Sequence, residues 1–318
     1  MPLSIAEYLG QRTDVDYPNI LPSALGGTPV PTCPFSGGPC TKLASSKPNH
    51  PVCSVRRNGE IFIVCSNRLI PAQASTITPS HMESLRSIAS HIFPGLSPRD
   101  IGFKRQLGVA GLFLDYILVA QNAPQTVFPT RIILEVQGGG ETSSTGTITR
   151  HINEWASHNS PNNSFLSEQL STEYLRNQCE GMKQNVPGII PNNAWKRQLD
   201  QIVKKTPIAK RFSGGFVLVV GQLLYEYITS KSIPIHRSYF SGWEIAIIGV
   251  EENIPLITSP GAVPITTVSA STFMSFEDFI AAIQGFQVPE DVSDPFIGTY
   301  ATLTNERFDI VRSTDVVT

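Results

Sequence analysis

The sequence predicts an α/β (α+β) protein with a mixed central β-sheet flanked by helices and a small, loop-rich N-terminal region. Two apolar, β-branched segments, GLFLDYILV and RIILEVQ, follow one another in mid-chain and are typical of adjacent strands. Amphipathic stretches of helical length lie on both sides of them. The N-terminal region instead holds four of the five cysteines among many prolines and glycines.

The N-terminal elements are predicted from local composition. Residues 4–12 (SIAEYLGQR) favour a helix, whereas residues 17–51 are rich in proline and glycine and predict an irregular loop. Residues 60–65 (EIFIVC) are rich in β-branched residues, which predicts a strand that ends at the fourth cysteine.

The larger part of the chain is predicted to begin with a helix over residues 79–92, with Ser80 as N-cap and Glu83 at the capping-box position. The strand around Asp115 and the strand RIILEVQ are close enough in sequence to suggest a hairpin. The remaining elements are a polar loop after residue 140, helices over 165–184 and 193–205, a buried strand or helix over 216–227, and a strand over 242–251.

Bulk composition sets bounds on the protein. A length of 318 residues with 41% hydrophobic side chains suits one large domain, residues 76–318, beside a small region, residues 1–75. The longest apolar run, residues 216–224, is too short to span a bilayer, so no membrane partner is expected. The N-terminus lacks the pattern of a signal peptide, which predicts a cytoplasmic protein. The net charge of −2, taken alone, argues mildly against a nucleic-acid ligand.

The cysteine cluster is the most informative motif. Its members are Cys33, Cys40, Cys53 and Cys65. In a reducing cytosol, clustered thiols are more often metal ligands than disulfides, although two disulfides or buried thiols remain alternatives. Thiolates suit zinc and iron equally, and a closed set of four protein ligands favours a structural ion over a catalytic one. Cys179 is remote and is most simply a helical thiol.

Charges are segregated along the C-terminal half. Residues 182–211 carry seven basic side chains and one acid, whereas residues 277–315 carry eight acids and two bases. One face of a nearly neutral protein could therefore be basic. The alternative for residues 196–211 is a solvated helix face.

The two central strands carry the candidate catalytic residues. Alternation puts Glu135 and Gln137 on one face of their strand, beside Asp115 on the neighbouring strand. Oxygen ligands converging there would bind Mg²⁺, which promotes phosphodiester hydrolysis. Acid pairs on strands are more commonly exposed to solvent, but the apolar sequences around both carboxylates make full exposure unfavourable.

A series of short motifs occurs in order along the chain: TCPF, KLA, VC, IVCSNRLI, a strand aspartate, ILEVQ, NNAWKRQLDQIVKK and FSGGFVLVV. In this order, and over a similarity that runs from about Tyr8 to Gly249, the chain resembles the NotI-type restriction endonucleases, a branch of the PD-(D/E)XK nucleases.

The resemblance implies a PD-(D/E)XK nuclease-like core in a homodimer that cuts both strands of a GC-rich DNA palindrome with Mg²⁺. Asp115, Glu135 and Gln137 would be the catalytic residues, with the two carboxylates as Mg²⁺ ligands. The four N-terminal cysteines would hold the structural iron of that family, although the residues alone fit zinc equally well.

Gln137 stands where most PD-(D/E)XK nucleases have a lysine, so the metal and its water would carry more of the transition-state charge. Gln137→Ala is expected to keep DNA binding and lose most turnover. The segment FKRQLGVAG before Asp115 has Gln106 where a further acid would be expected. Glu83 on the preceding helix is a candidate replacement, the alternative being a cap or surface residue.

Recognition of G·C pairs would use Arg or Lys donors to guanine in the major groove, and the same side chains could equally contact phosphates. A two-fold dimer would match a palindromic target. The candidate DNA-binding residues are Lys104, Arg105, Arg150, His151, Lys196 and Arg197.

Two other classes of protein compete with the nuclease. One is a non-catalytic, four-cysteine metal protein that binds DNA, in which Asp115 and Glu135 are structural. The other is a redox protein with thiolate-bound iron, which the lack of a flavin or dinucleotide fingerprint disfavours.

Overall fold

The computed structural model describes residues 4–8, 11–12, 32–40, 52–57, 60–71, 77–124, 126–138, 141–142, 189–231, 238–252, 266–279 and 292–311. Within these ranges, no helix has the length and apolar character needed to cross a membrane. The helix predicted over 165–184, the polar loop around 143–164 and Cys179 lie outside the described residues.

The N-terminal region contains an antiparallel sheet of four strands in the order β2-β1-β3-β4. Its strands are β1 (Ser4–Tyr8), β2 (Gln11–Arg12), β3 (Val52–Arg57) and β4 (Glu60–Ile63), and a short helix α1 (Ser66–Leu69) follows. The prediction of a helix over residues 4–12 is wrong. A helix of nine residues is barely stable alone, whereas pairing with β3 supplies the backbone hydrogen bonds of this segment. The strand predicted over residues 60–65 is confirmed for Glu60–Ile63.

Helix α2 (Pro79–Ile92) has the predicted extent but a different cap. Thr78, not Ser80, is the N-cap, and its hydroxyl oxygen accepts a hydrogen bond from the N–H of His81. Pro79 can occupy the first helical position because the N–H that it lacks would have no partner there. Glu83 is exposed and forms an ion pair of 3.1 Å with Arg86, which is a surface contact.

The remaining elements are the 3₁₀ turn Pro98–Asp100, strands β5 (Ile101–Val109), β6 (Leu112–Ala120), β7 (Arg131–Gln137), β8 (Glu141–Thr142) and β9 (Ile189–Ile190), helix α3 (Pro191–Arg211), strand β10 (Gly215–Gly221), helix α4 (Gln222–Lys231), strands β11 (Ile245–Glu252) and β12 (Thr266–Met274), helix α5 (Phe276–Phe279), and strands β13 (Gly298–Thr302) and β14 (Arg307–Ile310).

Eight of these strands form one mixed sheet in the order β12-β11-β10-β7-β6-β5-β13-β14. Strands β5, β6 and β7 form an antiparallel meander, and β10 and β11 then add in parallel to β7. The predicted mixed sheet flanked by helices is confirmed. The ambiguous segment over residues 216–227 is a buried strand followed by a helix, since a parallel strand covered on both faces reads as one continuous apolar run.

Each face of the sheet packs against helices and forms its own core. On one face, Leu85 and Ile88 of α2 join Tyr116 and Leu134. On the other face, side chains of α3 and α4, including Ile202, join Ile117 and Ile133. Side chains alternate along β7, so Glu135 lies on the same face as Ile133, toward α3, where Lys205 contacts it.

The N-terminal region packs directly against this sheet. Leu69 and Ile70 belong to the same core as α2, and the Tyr116 hydroxyl donates a hydrogen bond of 2.9 Å to the carbonyl oxygen of Pro71. The region therefore contains a sheet and contributes to the core of the larger part of the chain, whereas of the loop expected over residues 17–51 only residues 32–40 are among those described. The division of the chain at residue 75 stays a prediction.

Candidate active site

The candidate catalytic carboxylates lie where the β6–β7 ladder stops. Backbone pairing runs from Val119 and Arg131 to Tyr116 and Leu134. Beyond that pair the side chains replace the ladder. The N–H of Asp115 donates to Glu135 Oε1 over 3.1 Å, and the N–H of Val136 donates to Asp115 Oδ2 over 3.1 Å. Each carboxylate thus satisfies a backbone donor of the opposite strand, and the expected proximity of Asp115 and Glu135 is confirmed.

Glu135 is a buried acid with a cationic partner from helix α3. The residue is only 7% exposed, and the ammonium nitrogen of Lys205 lies 2.7 Å from Glu135 Oε1. The same ammonium donates to the carbonyl oxygen of Phe113 over 2.5 Å. Burial, followed by the negative charge of Asp115, raises the pKa of Glu135 to about 7, while the charge and hydrogen bond of Lys205 oppose this rise.

Gln137 shares the face of Glu135 and contacts the same helix. The side-chain amide of Gln198 donates to Gln137 Oε1 over 2.9 Å. Gln198 and Lys205 are seven residues apart, which is about two helical turns, so both project from one side of α3. Helix α3 therefore lies along the end of β7 and contacts both of its polar side chains.

Gln106 occupies the position opposite Asp115 on strand β5, the other neighbour of β6. The β5–β6 register pairs Arg105 with Tyr116 and Leu107 with Leu114, and Gln106 falls between these pairs. Its φ of 46° is left-handed, a conformation that costs free energy for a residue other than glycine. The ladder is thus interrupted on both sides of Asp115, and the acid expected before Asp115 is replaced by this strained glutamine.

Lys205 is the residue of this cluster that sequence reasoning missed, because its basic surroundings between Lys196 and Arg211 fit a solvated helix face equally well. The structure buries it almost completely. A signal was present, because Lys205 shares the helical spacing of the buried residues Ile202 and Ala209. A lysine inside an apolar stripe needs a buried partner, and here that partner is Glu135.

The predicted DNA-binding side chains differ in their exposure to solvent and in their contacts within the protein. Lys196 and Arg197 are exposed near the start of α3. The ammonium of Lys104 donates to the carbonyl oxygen of Ile297 and lies 4.6 Å from the centre of the Tyr300 ring. Burial lowers the pKa of Lys104, and Asp309 partly offsets this effect. Lys104 is therefore already engaged within the protein.

Of the other candidates for DNA binding, Arg105 is half-buried on β5. Its charge lies near Tyr116, because Arg105 lowers the pKa of that phenol against a larger rise caused by burial. Arg150 and His151 lie outside the described residues. The structure thus leaves Lys196 and Arg197 as the candidates with exposed side chains.

The four N-terminal cysteines are buried thiols, between 4% and 7% exposed. The N–H of Cys33 donates to the carbonyl oxygen of Gly38, which closes a tight turn before Cys40. The carbonyl oxygen of Cys53 accepts from the N–H of Cys65, at 3.1 Å, so these two cysteines lie on adjacent backbone segments. The cysteines thus occur as two local pairs.

A cation–π contact brings the two cysteine pairs into one neighbourhood. The guanidinium of Arg68, in the helix that follows Cys65, lies 4.9 Å from the centre of the ring of Phe35, in the Cys33 turn. Nevertheless, in the described parts of the chain no three His, Cys, Asp or Glu side chains have the arrangement of a metal site. The four-cysteine metal site stays a prediction.

The N-terminal region that holds the four cysteines, called the cysteine region below, also contacts the end of the strand that carries Glu135 and Gln137. A side-chain carbon added at Gly138 would collide with the carbonyl oxygen of Val64, immediately before Cys65. The absence of a side chain at Gly138 therefore permits the backbones of the two regions to touch. This contact connects the cysteine region mechanically to the candidate active site.

The chain matches no protein-family model, and no curated protein is significantly similar to it.

Proposed function

We propose that this protein is a Mg²⁺-dependent type II restriction endonuclease that cuts double-stranded DNA at a GC-rich palindrome. The proposal depends on one observation. Asp115 and Glu135, on adjacent strands of a buried sheet, lie side by side where the backbone ladder is interrupted. Two neighbouring carboxylates repel each other in a site of low dielectric, so the arrangement favours a bound cation.

The side chains fit a hard divalent ion in their chemistry, since the donors are carboxylate oxygens. Asp115 and Glu135 would hold the ion, which supplies a Lewis acid for the scissile phosphate and activates a water. Burial and the charge of Asp115 raise the pKa of Glu135 although Lys205 is beside it, and a bound divalent ion would favour the ionised carboxylate further. Gln137, oriented by Gln198, would align the attacking water.

DNA would approach along helix α3. This helix contacts Glu135 and Gln137 through Lys205 and Gln198, and it also carries the exposed bases Lys196 and Arg197. Basic side chains beside the carboxylates would hold phosphates while the carboxylates bind the metal. In a two-fold homodimer, each active site would cut one strand of a palindrome.

The cysteines would hold a structural iron or zinc ion. Four buried thiols are chemically suited to either metal, and the Arg68–Phe35 contact keeps the two pairs close. The proposal locates the protein in the cytoplasm, where reducing conditions keep thiols available as ligands.

The test is incubation of the purified protein with a large GC-rich DNA, with Mg²⁺ or with EDTA, followed by sequencing of the fragment ends. The expected result is a set of discrete, Mg²⁺-dependent fragments that share a palindrome, and no cleavage by Asp115→Asn. Lys204→Met, an exposed change on α3, is the matched control and should cut normally. Metal and DNA binding without cleavage of methylated or unmethylated DNA would instead favour the non-catalytic DNA-binding protein.

A further inference from the structure

We propose that Lys205 supplies, from helix α3, the ammonium group that Gln137 cannot supply from strand β7, and that it positions Glu135 as a metal-binding carboxylate. This inference rests on the proposed nuclease function and adds a residue to it. Its basis is the geometry around Glu135, which connects three separate elements of the fold through one buried cation.

The two contacts of Lys205 bind both strands of the site. Its ammonium lies 2.7 Å from Glu135 Oε1 on β7 and donates to the carbonyl oxygen of Phe113, two residues before Asp115 on β6. A single side chain therefore holds the two carboxylate-bearing strands together. A lysine at position 137 would lack this arrangement, because it would extend from β7 itself.

Among the described residues, the contacts of the Glu135 carboxylate fall on one of its two oxygens. The Lys205 ammonium and the N–H of Asp115 both contact Glu135 Oε1. No hydrogen-bond donor among the residues that the structure describes contacts Glu135 Oε2. Lys205 thus orients Glu135 without occupying both of its oxygens. The other oxygen, Oε2, is the one that could coordinate a divalent ion.

Stability alone does not account for a buried lysine here. The side chain of Lys205 is 2% exposed, and removing an ammonium and a carboxylate from water costs about as much as their attraction returns. An apolar pair of similar volume would often be as stable. The contact of the Lys205 ammonium with Glu135 Oε1 does, however, fix the orientation of that carboxylate, which a metal ligand requires.

Helix α3 also accounts for the neutral residue on the strand. Gln198, which contacts Gln137, lies two helical turns before Lys205, which contacts Glu135. The helix therefore contacts two successive positions on the same face of β7. Positions 135 and 137 are adjacent on that face. The ammonium therefore lies beside Glu135, which is the next residue to Gln137 along that face.

The test compares Lys205→Met with Lys204→Met, an exposed neighbour that forms an ion pair with Asp200. Cleavage by Lys205→Met should fall by about a hundredfold or more at neutral pH, a typical loss for a group that governs protonation in a site. The acidic limb of its pH–rate profile should also move to higher pH, because the pKa of Glu135 rises when its cationic neighbour is removed. Lys204→Met should match the wild type in both readouts.

A second experiment moves the positive charge from position 205 to position 137. In the double variant Lys205→Met/Gln137→Lys, the ammonium returns on β7, and cleavage should recover by about tenfold or more over Lys205→Met. Thermal unfolding and Ca²⁺-supported DNA binding establish that each variant is folded. If Lys205→Met alone does not fold, the double variant decides: a folded, active double variant supports the proposal, and a folded, inactive one overturns it.

The outcomes separate the two proposals. Wild-type rate and pH profile in Lys205→Met would overturn the role of Lys205 and leave the nuclease intact. A wild-type protein that cuts no DNA with Mg²⁺ would overturn the proposed function itself, and this inference with it. Binding of Mn²⁺ to the protein without DNA gives a readout besides cleavage: the pH at which binding is half-maximal should rise in Lys205→Met and stay unchanged in Lys204→Met.

Discussion

The side-chain amide of Gln198 donates a hydrogen bond of 2.9 Å to Gln137 Oε1. This contact uses the carbonyl side of the Gln137 amide, and in the proposed nuclease its NH₂ group would face the substrate. A neutral amide held in one orientation can align a water or a phosphate oxygen although it cannot offset a full charge.

Gln137→Ala is expected to keep DNA binding and to lose cleavage by about a hundredfold or more, since an aligned donor is removed from the reacting centre. Gln198→Ala should cause a smaller loss, because Gln137 remains but is no longer oriented. Single-turnover cleavage and Ca²⁺-supported DNA binding measure the two effects. Gln201→Ala on the same helix is the control, and full activity in Gln137→Ala would remove Gln137 from the site.

His81 should make the protein sensitive to acid. Burial, followed by the charge of Arg68, lowers the pKa of His81 from 6.5 to about 4. The unfolded chain therefore takes up the proton first as the pH falls. The stabilisation is complete above pH 6.5 and is lost between pH 6.5 and 4, by about 3 kcal/mol in total.

The comparison of His81→Asn with the wild type isolates this effect. Glu135 contributes with the opposite sign, because its raised pKa favours the folded state as the pH falls from 7 toward 4.5. Urea unfolding from pH 7.5 to 4.5 should show a smaller loss of stability in His81→Asn than in the wild type. His91→Asn, at an exposed position, should retain the wild-type slope. Equal slopes in all three proteins would show that His81 does not govern the acid limb.

Gly138→Ala should destabilise the junction between the cysteine region and strand β7. The new methyl group would collide with the backbone carbonyl of Val64, which cannot move as a side chain can. Overpacking of this kind costs about 1–3 kcal/mol. Gly38→Ala has open space and is the matched control. Urea unfolding should separate the two variants, and an unchanged midpoint in Gly138→Ala would contradict the contact.

The cysteines are expected to hold one iron or zinc ion per chain. Elemental analysis of the purified protein should detect it, and a chelator that removes it should lower the unfolding temperature, because a structural ion adds its binding free energy to folding. Cys65→Ser should lose the ion, whereas Cys179→Ser should keep it. Protein with no bound iron or zinc, when purified without chelator, would reject the metal site.

Lys196→Ala and Arg197→Ala should each weaken DNA binding and reduce the slope of log K against log salt by about 1, as expected for the loss of one phosphate contact. Lys104→Ala should leave that slope nearly unchanged, because its ammonium is engaged by Ile297 and Tyr300. Fluorescence anisotropy at several salt concentrations measures the slopes. A larger change for Lys104 than for Lys196 would contradict this assignment of the basic surface.

Much of the fold and part of the site could be predicted from local pattern. The carboxylates could be placed together because strand alternation has a period of two, and the apolar segments around Asp115 and Glu135 are clear strands. The helix over residues 79–92 could also be predicted from local pattern. The helix predicted at residues 4–8 is wrong, because a short segment takes its conformation from the strand with which it pairs. That strand, β3, lies more than forty residues away in the sequence.

Local pattern predicted the strands that carry Asp115 and Glu135, the shared face of Glu135 and Gln137, and the clustering of the cysteines along the chain, since each of these depends on neighbours within a few residues. The burial of Lys205 against Glu135 and the position of Gln106 opposite Asp115 become visible only in the packed fold. These relationships depend on how α3 and β5 pack onto β6 and β7. Such packing joins residues far apart in the chain, and no local period encodes it.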